Sequence, residues 1–197
     1  MKILLIGGNG FVGKAITDEL NKKDVDVYCL SRTKPSNNIK WIKGDIFNID
    51  FSTIDDNISI AVHLIGNIKN KNLYDKLNYE SLAESIQLCK EKNIKKLVFL
   101  SANGGFNDYL TSKMKAENLL KRSELDYLIV RPGLMYGTKR LSSYINVIPI
   151  KIFSFLGIPF FKNVYPLSVK QVAKTIVETI LTNPQKSLLT LEVIRKN

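Results

Sequence analysis

The chain has 197 residues, 45% hydrophobic and 24% charged, ordinary globular values that allow one domain with a sizeable core. Net charge is +11, but Lys, Asn and Ile are used throughout and no Lys/Arg block or nucleic-acid motif stands out, so the excess reads as compositional and no nucleic-acid partner is expected. The opening apolar run is too short for a signal peptide and no stretch reaches a membrane span, while Cys29 and Cys89, without metal-ligand spacing, suit buried thiols in a reducing, cytoplasmic setting.

Lys2 to Ile6 is a short apolar run, the pattern of a parallel strand buried on both faces. It ends in Gly7-Gly8-Asn9-Gly10-Phe11-Val12-Gly13, after which Val12, Ile16 and Leu20 mark one face of a helix. The spacing of Gly7, Gly10 and Gly13 is that of a dinucleotide loop: the first glycine makes the tight turn, the second admits a pyrophosphate to the backbone, and the third lets the helix sit close on the strand. The helix N-terminus then offers unpaired N–H groups and a positive dipole to the phosphates. Candidate cofactor contacts here are Gly7, Asn9, Gly10, Phe11, Val12 and Gly13.

Val25 to Leu30 is the second predicted strand, followed by Ser31-Arg32-Thr33-Lys34. An acidic residue at this place would accept hydrogen bonds from the ribose 2′-OH of NAD and repel a 2′-phosphate. Ser31 and Arg32 with no acid suit NADP better than NAD, with Arg32 clamping the phosphate. The third strand, Ile39 to Lys43, ends at Gly44-Asp45-Ile46, where Asp45 could take the adenine amino group or cap the next turn, and Ile46 could lie on the ring. Ile58 to Ile65 is a fourth, apolar strand closing at Gly66-Asn67; His63 inside it reads as a satisfied core residue rather than a catalyst. A long helical pattern covers Leu73 to Asn93, the fifth strand Ile94 to Ser101, a helix Asn107 to Ser123, and the sixth strand Tyr127 to Arg131. Alternating strands and helices predict an α/β, doubly wound parallel sheet with helices on both faces, as one domain over 1–197. Residues 134–197 are expected to add a small substrate-side region: a broken apolar segment from Tyr144 to Phe161, a helix from Ser168 to Thr182 capped by Ser168, and a last strand from Leu188 to Ile194.

Tyr109 and Lys113 form Y-x-x-x-K on one helix face just beyond the fifth strand. An ammonium beside a phenol favours phenolate, so the pair is expected to give a Tyr whose pKa is lowered towards neutrality, usable as acid or base. The carboxyl ends of strands four to six are also where a bound nicotinamide would lie.

Together these motifs resemble the short-chain dehydrogenase/reductase superfamily, in its extended and atypical branches. The resemblance spans nearly the whole chain, through the glycine triplet, Gly44-Asp45-Ile46, His63-Leu64-Ile65-Gly66, Asn78, Tyr109/Lys113 and Arg131-Pro132-Gly133-Leu134-Met135-Tyr136-Gly137. Gly-Gly-Asn-Gly-Phe-Val-Gly, Ser31-Arg32, Val130 to Met135 and Pro166-Leu167-Ser168-Val169 look most like atypical members associated with complex I and with coenzyme Q biosynthesis, and the chain is also similar to proteins named NAD-dependent epimerase/dehydratases. The resemblance implies a Rossmann-type fold, with Gly66 and Asn67 bordering the cofactor, Tyr109 and Lys113 in acid/base and ribose-binding roles, Pro132 and Gly133 beside the carboxamide, and Asn78 holding the geometry of its helix. It also marks departures. Ala102 stands where catalytic members carry a substrate-holding Ser or Thr, which leaves Ser101 as the candidate substitute, and the stretch from Ala102 to Asp108 is short. Losing such a donor costs about 10²–10³ in rate.

Three functions follow as expectations: an NADP-dependent oxidoreductase for a small or lipophilic carbonyl or alcohol; a non-catalytic NADP(H)-binding sensor, assembly factor or complex subunit; and a sugar-nucleotide epimerase or dehydratase, for which the short C-terminal region leaves little room. The Tyr144–Phe161 segment could line a pocket for a lipophilic substrate, rest on a membrane with Lys151 and Lys162 towards headgroups, cover the core, or form a dimer surface. A monomer or a homodimer is expected, and no metal.

Overall fold

A computed structural model of the chain describes residues 1–36, 39–137, 147–155, 159–183 and 185–197. Strands β1 (Lys2–Ile6), β2 (Asp26–Ser31), β3 (Lys40–Lys43), β4 (Ile60–His63), β5 (Lys96–Leu100), β6 (Asp126–Val130) and β9 (Leu188–Leu189) form one sheet in the order β3-β2-β1-β4-β5-β6-β9. Each pairing in it is parallel. The order reverses at β1, whose neighbours are β2 and β4, so the connections leave on opposite sides and open a crevice above its carboxyl end.

The sheet is covered on both faces, which explains the unbroken apolar runs of its central strands. Ile3 and Leu5 point into a core built with helices α1 (Phe11–Leu20) and α6 (Val169–Thr182), through Val12, Ile16, Val172 and Ile176. Leu4 and Ile6, one residue out of phase, point into a second core with α2 (Ser81–Glu91) and α3 (Asn107–Lys121), through Leu82, Ile86, Ala116 and Leu120. A two-residue parallel pair, β7 (Met135–Tyr136) and β8 (Leu167–Ser168), lies apart from the main sheet.

Three elements differ from the sequence reading. The fourth strand is shorter than Ile58 to Ile65, because its ladder with β1 ends at Ile6 and His63, and the chain then leaves the sheet towards the crevice. The long helix divides into a π-helical turn, Asp75–Glu80, and α2. The last strand is only Leu188–Leu189; Thr190 then caps a helix, α7 (Leu191–Lys196), by accepting from Val193 N at 3.4 Å. The segment from Tyr144 to Phe161 holds two helices, α4 (Val147–Phe155) and α5 (Pro159–Asn163); positions 144–146 and the break at Gly157 lie outside the described residues. The substrate-side region therefore divides. Residues 163–165 pack on the loops after β5 and β6, while α6 and β9 complete the main core and sheet.

Candidate functional site

The glycine loop rises from β1 and is pinned by Gly7 N donating to Leu30 O at 2.9 Å. Gly7 has φ +80°, a conformation that glycine takes without strain. At Gly13 a Cβ would stand 2.2 Å from Gly8 O, so only glycine lets α1 pack on the loop. Gly10 is different. A Cβ there would meet nothing closer than Gly7 O at 3.3 Å, so the fold itself leaves open the space that the missing side chain frees. Gly10 is also the N-cap of α1, no side chain caps that helix, and its first turn carries no acid. The positive end of α1 thus faces the crevice with backbone donors unclaimed by any capping side chain.

That crevice is a cleft of about 430 Å³ lined by Gly7, Asn9, Gly10, Ser31, Arg32, Asp45, Ile46, Leu64, Ile65 and Gly66, among others. Asn9 staples the loop to the segment after β2: its Nδ2 donates to Thr33 O at 3.2 Å and Oγ1 at 2.8 Å. Its Oδ1 is a buried acceptor with no partner, a group that a bound donor could satisfy. Across the cleft mouth Arg32 extends into solvent, its Nη1 3.9 Å from Asp45 Oδ2. Asp45 also caps the turn that follows, accepting from Phe47 N at 3.3 Å, while it lines the cleft. The Ser31 hydroxyl donates to Thr33 O at 2.8 Å and shapes the same turn.

Not every expected contact faces this cleft. Val12 is buried in the core, and Phe11 packs against the core beside Gly137; what either offers the cleft is backbone. Pro132 and Gly133 lie outside its lining. Pro132 O accepts from Asn103 N at 2.9 Å, and a Cβ on Gly133 would stand 2.2 Å from Tyr165 O, so close packing of the C-terminal segment already accounts for that glycine.

A second cluster lies beyond Gly66. The π-helical turn carries Asn78, fully buried, whose amide ties three elements together: its Oδ1 accepts from Asn67 N at 2.8 Å, and its Nδ2 donates to Asn67 O and to Ser112 Oγ, both at 3.0 Å. Insertions of this kind into an α-helix recur at functional sites. A Cβ on Gly66 would be 3.1 Å from both Asn78 Oδ1 and Lys113 Nζ, which places the amide and the amine side by side at the end of the cleft.

The expected partnership of Tyr109 and Lys113 is corrected by this geometry. Lys113 is buried, donates from Nζ to Leu100 O at 3.0 Å, and sits 4.7 Å from the Phe99 ring centre. Burial pulls its ammonium down to about 7, against the Glu117 carboxylate one turn on, which favours the charged form. Tyr109 packs edge-on to Tyr74, ring centres 5.7 Å apart. Burial, with a smaller contribution from Tyr74, pushes the phenol up to about 12 rather than down. At neutral pH it keeps its proton.

Ser101 is corrected too. Its buried hydroxyl donates to Glu117 Oε1 at 2.6 Å, and Glu117 also receives Arg131 Nε at 2.8 Å and Arg131 Nη2. Burial alone would raise the Glu117 carboxyl, but the hydrogen bonds from Arg131 and Ser101 outweigh it and hold it below the ordinary carboxylate range. Ser101 belongs to this structural cluster rather than to the cleft. His63 is a core residue, as read: its ring nitrogens meet Ser85 Oγ at 2.8 Å and Ser81 Oγ at 3.3 Å, and burial, with Lys113 nearby, lowers it to about 3. Sequence reasoning missed Thr33, Leu64, Ile65 and Tyr74; the first follows Ser31-Arg32 directly and was legible, whereas Tyr74 meets Tyr109 only through tertiary packing.

Residues 7–184 match the family described as NAD(P)H-binding. Among curated relatives, the chain is 25% identical over 156 residues to the uncharacterized chloroplastic protein At1g32220 of Arabidopsis thaliana, covering 72% of this chain and 53% of that one, so it spans about half of that relative's length. Among solved structures, the putative NAD-dependent epimerase/dehydratase of Bacillus halodurans superposes with a TM-score of 0.74 at 20% identity, covering 100% of both chains. UDP-glucuronic acid 4-epimerase from Bacillus cereus, in complex with NAD, has a TM-score of 0.74 at 16% identity, with 97% of this chain and 76% of that chain covered. Glycine loop, sheet order and family match agree: the chain belongs to the NAD(P)H-binding family and shares its fold with the putative NAD-dependent epimerase/dehydratase of Bacillus halodurans.

Proposed function

We propose that this protein is an oxidoreductase that prefers NADP and acts on a small or lipophilic carbonyl or alcohol. The observation that carries the cofactor half is the pairing of an open Gly10 cradle with Arg32, and no acid, directly after β2. In this reading the loop Gly7–Gly13 holds the diphosphate through its backbone, Ser31 and Arg32 take the adenosine ribose and its 2′-phosphate, Asp45 and Ile46 the adenine, and Gly66, Asn67 and Lys113 the other ribose. The bound coenzyme supplies hydride chemistry. Tyr109, protonated at neutral pH, supplies a proton to a carbonyl oxygen, which favours reduction over oxidation near pH 7. The reducing setting expected from two buried free thiols, Cys29 and Cys89, belongs to the same reading, and among the described residues no helix is long and apolar enough to cross a membrane.

Two other readings rest on specific observations. A non-catalytic NADP(H)-binding role is favoured by Ala102 and by the commitment of Ser101 to Glu117, which leave the usual hydroxyl donor without a counterpart. A sugar-nucleotide epimerase is favoured, to the same degree, by the fold shared with the Bacillus cereus enzyme. Titration with NADPH and NADH tests the cofactor: Arg32→Glu should weaken NADPH at least about tenfold more than NADH, and equal losses would remove the preference. Turnover assays against carbonyl compounds and UDP-sugars, with Tyr109→Phe as control, then separate the three. Tight binding with no turnover supports the non-catalytic protein.

A further inference from the structure

α4 is built the wrong way round for a helix that only covers a core. Among its described side chains Val147 and Ser154, seven residues apart on one face, are buried. A separate, adjacent face carries Ile148, Ile152 and Phe155, spaced i, i+4, i+7, and these are 69%, 54% and 90% exposed. Three large apolar side chains turned outward, against one apolar and one polar residue turned inward, mean that the outer face has an apolar destination.

The surrounding charge says what kind. Between Asp126 and Glu178 the sequence contains no acidic residue and seven Lys or Arg. Two of them, Lys151 on α4 and Lys162 on α5, are exposed on the helix pair itself. Two others, Arg131 and Lys174, pair with Glu117 and Glu178 outside the stretch, whereas no described ion pair involves Lys151 or Lys162. An exposed apolar stripe set in a purely basic stretch is the signature of an interfacial element on an anionic lipid surface: side chains enter the acyl boundary while ammonium groups meet the headgroups. A second copy of the same face would instead bring Lys151 and Lys162 towards their own kind.

We infer that the α4–α5 pair docks this protein on anionic membranes as a peripheral, non-spanning contact. The pair is joined to the carboxyl end of the sheet: Asn103 Nδ2, after β5, donates to Asn163 O at 3.0 Å, and Gly104 packs against Val164. Docking therefore sets the substrate side of the domain near the bilayer. The inference stands whether or not the protein turns over a substrate.

Vesicle co-sedimentation of the full chain tests it, using phosphatidylcholine vesicles with and without phosphatidylglycerol, at low and high salt. Binding is expected only to the anionic vesicles, weakening with salt. Ile152→Ser/Phe155→Ser and Lys151→Gln/Lys162→Gln should each reduce it about tenfold or more. Because a basic protein attracts anionic surfaces in general, Lys90→Gln/Lys95→Gln, the same charge loss on exposed sites at the other end of the sheet, should leave binding within about twofold of wild type. All these positions are exposed, so thermal unfolding and NADPH titration should be unchanged and certify the fold. Absence of binding, an equal loss in the distal control, or retained binding in the α4 variants would overturn the inference. So would a dimer in sedimentation velocity that Phe155→Ser dissolves, since that assigns the face to a second copy.

Discussion

At the scale of single residues, the three spaced glycines do different work, and the difference can be measured. Gly13 is required by packing: a Cβ would press on Gly8 O at 2.2 Å, backbone against backbone with nothing able to rotate away. Gly13→Ala should therefore destabilise the fold by about 2–3 kcal/mol, read from urea unfolding. Gly10 has φ −73° and ψ 178°, which any residue adopts, and its would-be Cβ has only Gly7 O within contact. Gly10→Val should change stability by less than about 1 kcal/mol and still lower NADPH affinity at least about tenfold, because the isopropyl group fills the space over the backbone donors. If the Val variant takes up NADPH as wild type does, the loop is only a turn, and the cofactor assignment fails with it.

At the scale of elements, the junction of α3 with the ends of β5 and β6 rests on Glu117. It receives Ser101 from the loop after β5 and Arg131 from the end of β6, and it is 3% exposed. Removing one partner of a buried pair leaves an uncompensated charge, which costs more than the pair itself contributes. Arg131→Met should cost about 3 kcal/mol in urea unfolding, whereas Arg131→Met with Glu117→Leu should recover most of that; a single variant as stable as wild type would show the pair to be idle. None of this cluster was legible in the sequence, since Ser101, Glu117 and Arg131 are separated by turns of chain that carry no pattern linking them. The same limit explains Tyr109 and Lys113. Their spacing announced a shared face, but not that Leu100 O would take the ammonium or that Tyr74, the N-cap of the π-helical turn, would close on the phenol. Strands β1, β2, β4, β5 and β6 were legible because their centres are buried on both faces and carry apolar runs, and β3, a half-buried edge strand, through Trp41 and Ile42 ahead of Gly44; β9 was not, because two residues of ladder leave no period, and Thr190 serves as a helix cap instead of a strand residue.

At the scale of the whole molecule, two buried bases on the same side of the sheet give the fold a proton dependence. Lys113 titrates near 7 in the folded chain and near 10.5 when solvated, so between those values the unfolded chain binds a proton that the native amine refuses. Its contribution to stability is complete above 10.5, declines as pH falls, and is gone below about 7, with a slope of up to about 1.4 kcal/mol per pH unit. His63 behaves alike one window lower, from 6.5 down to about 3. Tyr109 works in the opposite sense above 10, where the unfolded phenol loses its proton first, and the buried thiols Cys29 and Cys89, both pushed up by burial from 9, do the same from about pH 8, so the clean interval for observing Lys113 lies between pH 7 and 8. Stability of the wild type should rise across that interval by about 1 kcal/mol, read as the urea midpoint multiplied by a constant slope. Lys113→Met keeps the aliphatic stem against Phe99 and removes the ionisation, so its midpoint should be higher at pH 7 and nearly flat to pH 8. A wild-type midpoint that is itself flat would mean that the amine stays charged in the folded protein, held by Leu100 O and Glu117 more strongly than burial opposes. Lys113 would then act in the site as a fixed cation, not as a group that changes charge near neutrality.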